Sequence, residues 1–202
     1  MTGTGAKRGR PPAFDRAAVL DAATRLFWER GYEATSICDL TRAMGIKPGS
    51  LYAAFGDKKA LFKEAVQAYG SSPVGAFMAA ALDEERTARG AMARILREAA
   101  AAYPDPAHPA GCLTISAAVN VTEADDEIAA YLRDLRNANL GHFTARFTEA
   151  QRAGELSKDA EPAALAAYFA AVIQGMSQRA RDGATADELR ATAALALAAW
   201  PT

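Results

Sequence analysis

One short stretch of the sequence, GIKPGSLYAAFGDKKALF, concentrates side chains suited to binding a polyanion. Among its cationic and hydroxyl-bearing residues are Lys47, Ser50, Tyr52 and Lys58. Ammonium groups pair with phosphate oxygens, and hydroxyls donate hydrogen bonds to phosphates or base edges. Pro48 and Gly49 add so little side chain that the backbone beside them can approach a sugar-phosphate chain closely. The chemistry predicted for this stretch is therefore contact with DNA.

Hydrophobic residues repeat at helical spacing on both sides of this stretch, with a capping residue or a glycine at each interruption. The predicted helix ends are, in chain order, Asp15 and Gly31, Thr35 or Ser36 and Gly45, Pro48 and Gly56, and Asp57 and about Tyr69. The second and third helices, joined by the turn MGIK, have the length and spacing of a helix-turn-helix over about residues 36–55. The third is then the recognition helix, whose first turn meets bases and phosphates.

The rest of the chain also has helical periodicity and few strand-forming runs, so we predict an all-α fold. Turn signals at 71–73 leave open whether the fourth helix bends or resumes there. Further helices are predicted over 87–103, 112–120, 124–153 and 160–181, with a last helix capped by Thr185 or Asp187 and a proline-rich loop at 104–111. The predicted divisions are a basic arm (1–13), a DNA-binding domain (14–70) and a C-terminal domain (71–202).

Charge is distributed unevenly along the 202 residues, although the formal net charge is only −1. Residues 1–70 contain 11 Lys and Arg against 7 Asp and Glu, and residues 71–202 contain 12 against 17. A basic front indicates that this part meets the polyanion. Within it, Lys7, Arg8 and Arg10 form an arm that could follow phosphates or enter a minor groove. We expect a cytoplasmic protein with no membrane partner, because no apolar run resembles a membrane span or a secretory signal.

The segment from Phe14 to Tyr69 resembles the DNA-binding domain of TetR-family (tetracycline-repressor-like) transcription regulators. The matching elements are Ala23, Leu26-Phe27, Gly31-Tyr32, Thr35-Ser36-Ile37, Leu40, Ala43, Gly45-Ile46, Ser50-Leu51-Tyr52, Phe55, Lys58 and Leu61-Phe62. The resemblance implies a three-helix N-terminal DNA-binding unit and a larger helical C-terminal domain that binds a small effector and forms a homodimer. The implied function is a dimeric repressor that a small molecule releases from a pseudo-palindromic operator.

The predicted DNA contacts combine this resemblance with the residue types. Carried over by position, they are Ser36, Lys47, Pro48, Gly49, Ser50, Tyr52 and Lys58. Thr35 is added because it could serve in the same way at the start of the second helix. Relatives often carry a small polar residue at position 47 and a basic one at 48, so the charge of Lys47 stands one position early. Ala53 and Ala54 offer no base-reading groups, so direct contacts are expected to be few, with DNA shape supplying the rest.

The resemblance also puts an effector pocket among the middle helices. Its candidate walls are Phe77, Met78, Met92, Leu96, Tyr103, Cys112, Leu113, His142, Phe143, Phe147, Phe169 and Gln174. Mostly apolar walls suit a hydrophobic or aromatic molecule. For the dimer, small residues four apart at Ala167, Ala171 and Gly175 allow close helix approach, and Leu189 and Trp200 of the last helix are added to the interface.

Three other classes of function compete with this one. A metal sensor is disfavoured because His108, His142, Cys38 and Cys112 show no ligand spacing. An enzyme is disfavoured because the sequence has no phosphate-binding glycine loop, nucleophile elbow or carboxylate pair with a histidine, and no cofactor is predicted. A thiol-redox regulator stays open. Cys38 lies on the helix that supports the DNA contacts and Cys112 follows the proline-rich loop, so oxidation of either could shift the domains.

Overall fold

The structure, a computed structural model, describes residues 14–201, which contain ten α-helices and no strand. The helices are α1 (Arg16–Arg30), α2 (Ile37–Met44), α3 (Pro48–Phe55), α4 (Lys58–Ser71), α5 (Pro73–Glu84), α6 (Ala88–Ala102), α7 (Leu113–Ser116), α8 (Asp126–Arg152), α9 (Pro162–Arg181) and α10 (Ala186–Ala198). The all-α prediction is confirmed. The predicted basic arm, with Lys7, Arg8 and Arg10, lies outside the described residues. No described helix is long and apolar enough to cross a membrane.

Capping residues set the starts of the first four helices as the sequence predicted. Asp15 caps α1 by accepting a backbone hydrogen bond of 2.9 Å from the first turn. Ser36, not Thr35, precedes α2, and forms a reciprocal capping box with Asp39. Pro48 is the first residue of α3, and Asp57 caps α4. The bonds to Asp15, Ser36 and Asp57 satisfy amides that a helix leaves unpaired at its start. At α3, which has no side-chain cap, Pro48 has no amide hydrogen to satisfy.

Aromatic side chains hold the helix-turn-helix against the rest of the N-terminal unit. The Phe62 ring stands edge-on to the rings of Phe27 and Tyr32, with centroid distances of 5.0 and 5.1 Å. Leu40 of α2 and Leu51 of α3 are fully buried in the same core. The orientation of α2 and α3 is therefore fixed by their packing on α1 and α4.

The chain turns sharply after α4 and starts a separate helix, α5. The sequence had left open whether the fourth helix bends or resumes at this point. The Ser72 hydroxyl donates to the Tyr69 carbonyl at 2.7 Å and accepts from the Gly75 amide at 3.2 Å, so it ends α4 and caps α5. A β-carbon built on Gly75 would lie 2.0 Å from the Tyr69 carbonyl oxygen. The turn therefore requires glycine at position 75.

The helix predicted over residues 112–120 is much shorter in the structure. Only Leu113–Ser116 is helical, and the chain then leaves the helix. The Ala117 carbonyl accepts a 2.6 Å hydrogen bond from the Tyr32 amide, in the loop between α1 and α2. This carbonyl bonds the N-terminal unit instead of continuing the helix, which is why periodicity alone misjudged the segment.

The C-terminal core is formed by α6 packed on α10 and α8 packed on α9. The Trp200 ring lies 5.2 Å from that of Phe147 and 5.9 Å from that of Phe169. Trp200 and Leu189 are both buried within the protomer. The prediction that these two side chains form the dimer interface is therefore wrong, because they find apolar cover inside their own chain.

The two domains meet where α1 lies against the 104–111 loop and α9. The His108 ring stacks on the Trp28 ring at 4.6 Å, and the Arg25 guanidinium donates to the Ala107 carbonyl at 2.8 Å. From α9, Arg181 donates to two carbonyls near the end of α1, both at 3.2 Å. The 104–111 loop, as predicted, is not helical, and it provides the surface on which α1 rests.

Candidate DNA interface and effector pocket

The outer face of α3 is a stripe of three exposed residues. Gly49, Tyr52 and Ala53 have i, i+3, i+4 spacing and so lie on one side of the helix. Tyr52 is 49% exposed. Leu51 and Phe55, on the opposite side, are buried in the core. One face anchors α3 and the other is presented outward, as a recognition helix requires.

Two predicted lysines flank α3 in different environments. Lys47 is exposed immediately before the helix, followed by exposed Pro48 and half-buried Ser50. Lys58, the first residue of α4, is half-buried, and its ammonium lies 4.1 Å from the centre of the Tyr32 ring. Burial lowers the pKa of Lys58. The ring holds this amine at a helix N-terminus, where the dipole favours a phosphate.

The start of α2 departs from the prediction. Thr35 is fully buried and its hydroxyl donates to the Gly31 carbonyl at 2.6 Å, so the prediction that its side chain contacts DNA is wrong. Ser36 is exposed, but its hydroxyl hydrogen-bonds Asp39. These bonds from Ser36 lower the pKa of Asp39. A phosphate would have to compete with that carboxylate for the Ser36 hydroxyl, so Ser36 is a weaker candidate than the exposed residues of α3.

Arg16 supports the recognition helix, a role that was not predicted from the sequence. Its guanidinium donates to the Ala54 carbonyl at 3.4 Å and lies 4.6 Å from the centre of the Phe55 ring. The same group pairs with Glu64 of α4, and this contact raises the pKa of Arg16. Arg16 thus ties the C-terminal end of α3 to α1 and α4. No local pattern reveals this, because the partners are far apart in the sequence.

The predicted effector walls do not form one chamber. Phe143 and Gln174, with Met78, line a cavity of about 30 Å³ bounded by α5, α7, α8 and α9. The residues that are instead packed as core are Phe77, Met92, Leu96, Tyr103, Cys112, Leu113, Phe147 and Phe169. His142 is exposed beside Arg146 in a different groove and does not line this cavity. A cavity of this size has room for only about one or two water molecules.

Cys112 lies in a buried polar cluster that the sequence did not reveal. Its sulfur accepts a hydrogen bond from the Tyr69 hydroxyl at 3.4 Å and lies 3.1 Å from the Thr114 hydroxyl oxygen. Its amide donates to the Ser177 hydroxyl at 2.8 Å. The Tyr103 hydroxyl is buried with no hydrogen-bond partner among the described residues. Burial raises the pKa of both Tyr69 and Tyr103, so both phenols stay protonated.

A second cavity, of about 390 Å³, lies at the junction of the two domains. Trp28 and Leu20 of α1, Tyr69 of α4, Val74 of α5 and His108 of the loop contribute to its walls. None of the predicted effector residues lines it. Its volume is within the usual range for small-molecule sites, and a molecule bound there would touch both domains.

Two family models match the chain. Residues 19–65 match bacterial regulatory proteins of the tetR family, and residues 91–196 match the tetracyclin repressor-like C-terminal domain. The chain belongs to the TetR family. It is 35% identical over 195 residues to the HTH-type transcriptional repressor ComR of Escherichia coli (strain K12), covering 96% of this chain and 92% of ComR. It is 30% identical over 189 residues to the repressor BdcR of the same strain, covering 93% and 90% of the two chains.

The TetR-family architecture is shared with a solved structure over nearly the whole chain. A cysteine mutant of the TetR family transcriptional regulator CifR, complexed with 26-base-pair operator DNA, matches with a TM-score of 0.91 and 38% identity, covering 96% of this chain and 100% of the CifR chain. This protein is a DNA-binding transcriptional regulator, and α2 and α3 are its helix-turn-helix.

Proposed function

We propose that this TetR-family protein is a cytoplasmic, homodimeric repressor that binds a pseudo-palindromic operator and releases it when a small effector binds. The proposal rests on the two faces of α3. Its buried face is anchored in the core, and its outer stripe is exposed between Lys47 and Lys58. No acidic side chain on α3 would repel phosphates. The related ComR and BdcR are transcriptional repressors, which supports repression as the outcome of binding.

The dimer would form across α9 and α10. Ala167, Ala171 and Gly175 are exposed along one face of α9, and a β-carbon built on Gly175 would meet nothing within 4 Å. Tyr168 of α9 is 40% exposed and Leu195 of α10 is 75% exposed. A small-residue ridge with large apolar side chains nearby favours close packing against a second copy. The resulting four-helix bundle would present two α3 helices to half-sites about 10 base pairs or slightly more apart.

The effector would act through α7. Thr114 and Ile115 of α7 line the 30 Å³ cavity, and Ala117, just after α7, accepts the hydrogen bond from the Tyr32 amide. Ligand pockets usually measure roughly 300–1,000 Å³, so an effector entering here must displace α7 or its neighbours. The link to Tyr32 carries that displacement to the DNA-binding unit. The effector then favours a dimer whose α3 helices no longer match the half-site spacing.

The chemistry of the cavity suggests the class of effector. Six of its ten lining residues are apolar, Phe143 among them, and the polar ones are Thr114, Arg136, Asn139 and Gln174. Arg136 already donates to the Thr114 carbonyl at 2.8 Å, and burial lowers its pKa. A hydrophobic or aromatic molecule that also carries hydrogen-bonding groups would match such walls.

Selection of genomic fragments by the purified protein, followed by fluorescence anisotropy at several salt concentrations, tests the proposal. We expect a few pseudo-palindromic sites, with log K falling by roughly 0.9 per phosphate contact for each unit of log[salt]. Titration with hydrophobic compounds should then identify one that weakens binding to the selected site. The proposal fails if no fragment is preferred over random DNA, or if a protein that stays monomeric at micromolar concentration binds a single half-site tightly.

A thiol-redox-responsive regulator is the second candidate, and the Cys112 cluster favours it. Peroxide would oxidise the thiol to sulfenic acid with release of water, and the added oxygen would not fit between Tyr69 and Thr114. Cys38 offers a different site, exposed on α2 with an Arg42 nitrogen 3.7 Å from its sulfur. The related CifR was solved on DNA as a cysteine mutant, which supports testing both thiols.

Matched Cys112→Ser and Cys38→Ser variants decide this candidate. Operator release would be followed as hydrogen peroxide is added to each variant and to the unaltered protein. If Cys112 is the sensor, Cys112→Ser stays on DNA while Cys38→Ser is released normally, and the reverse pattern identifies Cys38. The redox candidate is eliminated if both variants are released at the peroxide concentration that releases the unaltered protein, or if peroxide does not release the unaltered protein.

A further inference from the structure

The groups available for direct base recognition on α3 are few. Its residues, PGSLYAAF, include none of the Arg, Lys, Asn, Gln, Asp or Glu side chains that hydrogen-bond specifically to a base edge in the major groove. On its exposed stripe, Tyr52 is the residue that carries a hydroxyl. The other two stripe residues, Gly49 and Ala53, present bare backbone and a single methyl group.

Gly49 is not required by the fold. A β-carbon built on it would meet nothing within 4 Å, and its φ is not positive. Inside a helix glycine is less favourable than alanine, so stability alone would favour alanine at this position. Gly75 is the opposite case, since a β-carbon there would collide with the Tyr69 carbonyl. The bare surface at Gly49 therefore suits a partner that approaches the α3 backbone closely.

Ala53 is held rigidly one turn further along the same stripe. The carbonyl of the next residue, Ala54, accepts the hydrogen bond from Arg16, and Phe55 is buried beneath the Arg16 guanidinium. Bases that come close to Gly49 therefore also meet the Ala53 methyl group. In the major groove, the apolar group that a base presents is the 5-methyl of thymine, and alanine is one of the side chains that contacts it.

We propose that Gly49 and Ala53 form a methyl-reading surface, in which the Ala53 methyl group packs against the 5-methyl group of a thymine in each operator half-site. The inference rests on the proposed operator binding and specifies its base chemistry. Lys47 and Tyr52 would contact the flanking phosphates and so fix the register of the methyl contact. Specificity at this base pair then comes from apolar contact and close fit.

Replacing thymine by deoxyuridine tests the proposal, because it removes only the methyl group and preserves base pairing. Each thymine of the selected operator would be replaced in turn, symmetrically in both half-sites, and binding measured by anisotropy at constant salt. Loss of one buried methyl group at about 0.8 kcal/mol corresponds to about a fourfold loss of affinity per half-site. We expect this loss at one symmetric pair of thymines within the segment that α3 contacts.

Two variants of α3 serve as matched tests. Ala53→Gly should bind the thymine operator about fourfold more weakly per half-site and should no longer distinguish thymine from deoxyuridine at that position. Gly49→Ala should be at least as stable to heat as the unaltered protein and yet bind the operator more weakly. Circular dichroism would check that both variants are folded.

The outcomes separate this proposal from the function on which it rests. Failure to select any preferred DNA would refute operator binding itself. If binding is sequence-specific but no deoxyuridine replacement weakens it by more than twofold, the methyl-reading surface is overturned, whereas operator binding is retained. Full thymine preference in Ala53→Gly would overturn it as well, because the thymine methyl group would then act through DNA shape.

Discussion

The turn between α4 and α5 should not tolerate a methyl group at Gly75. The β-carbon of Gly75→Ala would lie 2.0 Å from the Tyr69 carbonyl oxygen, whereas real β-carbons keep at least 3.0 Å from such atoms. The backbone must therefore open by about 1 Å. Overpacking of this kind costs about 1–3 kcal/mol. Gly70, in the same junction, is the matched control, since its β-carbon would meet nothing within 4 Å.

Comparing Gly75→Ala with Gly70→Ala isolates the collision, because both gain the helix preference of alanine, about 1 kcal/mol at most. We expect Gly75→Ala to be the less stable by about 1–3 kcal/mol, which for a chain of this size corresponds to a difference in Tm of about 2–12 °C. Thermal unfolding would be followed by circular dichroism at one fixed protein concentration, because the Tm of any protein that forms oligomers depends on concentration. Equal Tm values for the two variants would refute the steric argument.

Three further predictions concern the dimer, the domain contact and acid stability. Ala171→Glu should make the protein monomeric in sedimentation velocity without changing its helical content, and a stable dimer would refute α9 as the interface. The Asp125 carboxylate pairs with Lys59 at 3.2 Å and accepts a hydrogen bond from the Tyr32 hydroxyl at 3.3 Å. Because Asp125→Asn removes this charged contact, effector-induced release should weaken, while operator affinity without effector should stay unchanged. The pKa of Asp39 is lowered by the hydrogen bonds from Ser36, so its stabilisation is complete above the unfolded carboxyl pKa, about 4, and is lost as the pH falls through the lower folded value. When the free energy of unfolding in urea is measured against pH, Asp39→Asn should reduce the loss of stability at acid pH. An unchanged pH dependence would contradict the capping role.

The helix starts in the N-terminal half were predictable because each depends on residues that are close together in the chain. Ser36, Pro48 and Asp57 act on the first turn of the helix they precede, so their types and positions are sufficient. The exposed stripe of α3 could also be predicted. Once Leu51 and Phe55 are recognised as buried, the geometry of the helix decides which residues face outward.

The features that could not be predicted depend on residues far apart in the chain. Periodicity shows that α10 and the residues just after it have an apolar face, but it does not show whether the same chain or a second copy covers that face. Leu189 of α10 and Trp200 beyond it were misassigned for this reason. The contact of Arg16 with the end of α3 has no local pattern. The small size of the cavity lined by Phe143 and Gln174 depends on how closely such side chains interdigitate, which composition does not reveal.

The stacking of His108 on Trp28 has a consequence for hybrid regulators, in which the DNA-reading part of one protein is fused to the sensor of another. A fusion made at residue 70 would keep α1 but replace the loop on which it rests. It would lose that stack, and the new loop would have to replace the acceptor for Arg25 and the Ala117 carbonyl that accepts from the Tyr32 amide. The transferable reading module of this protein is thus discontinuous, consisting of residues 14–70 together with residues 104–117. Grafts that carry both pieces should keep operator binding, whereas those that carry only the first will need a compensating loop.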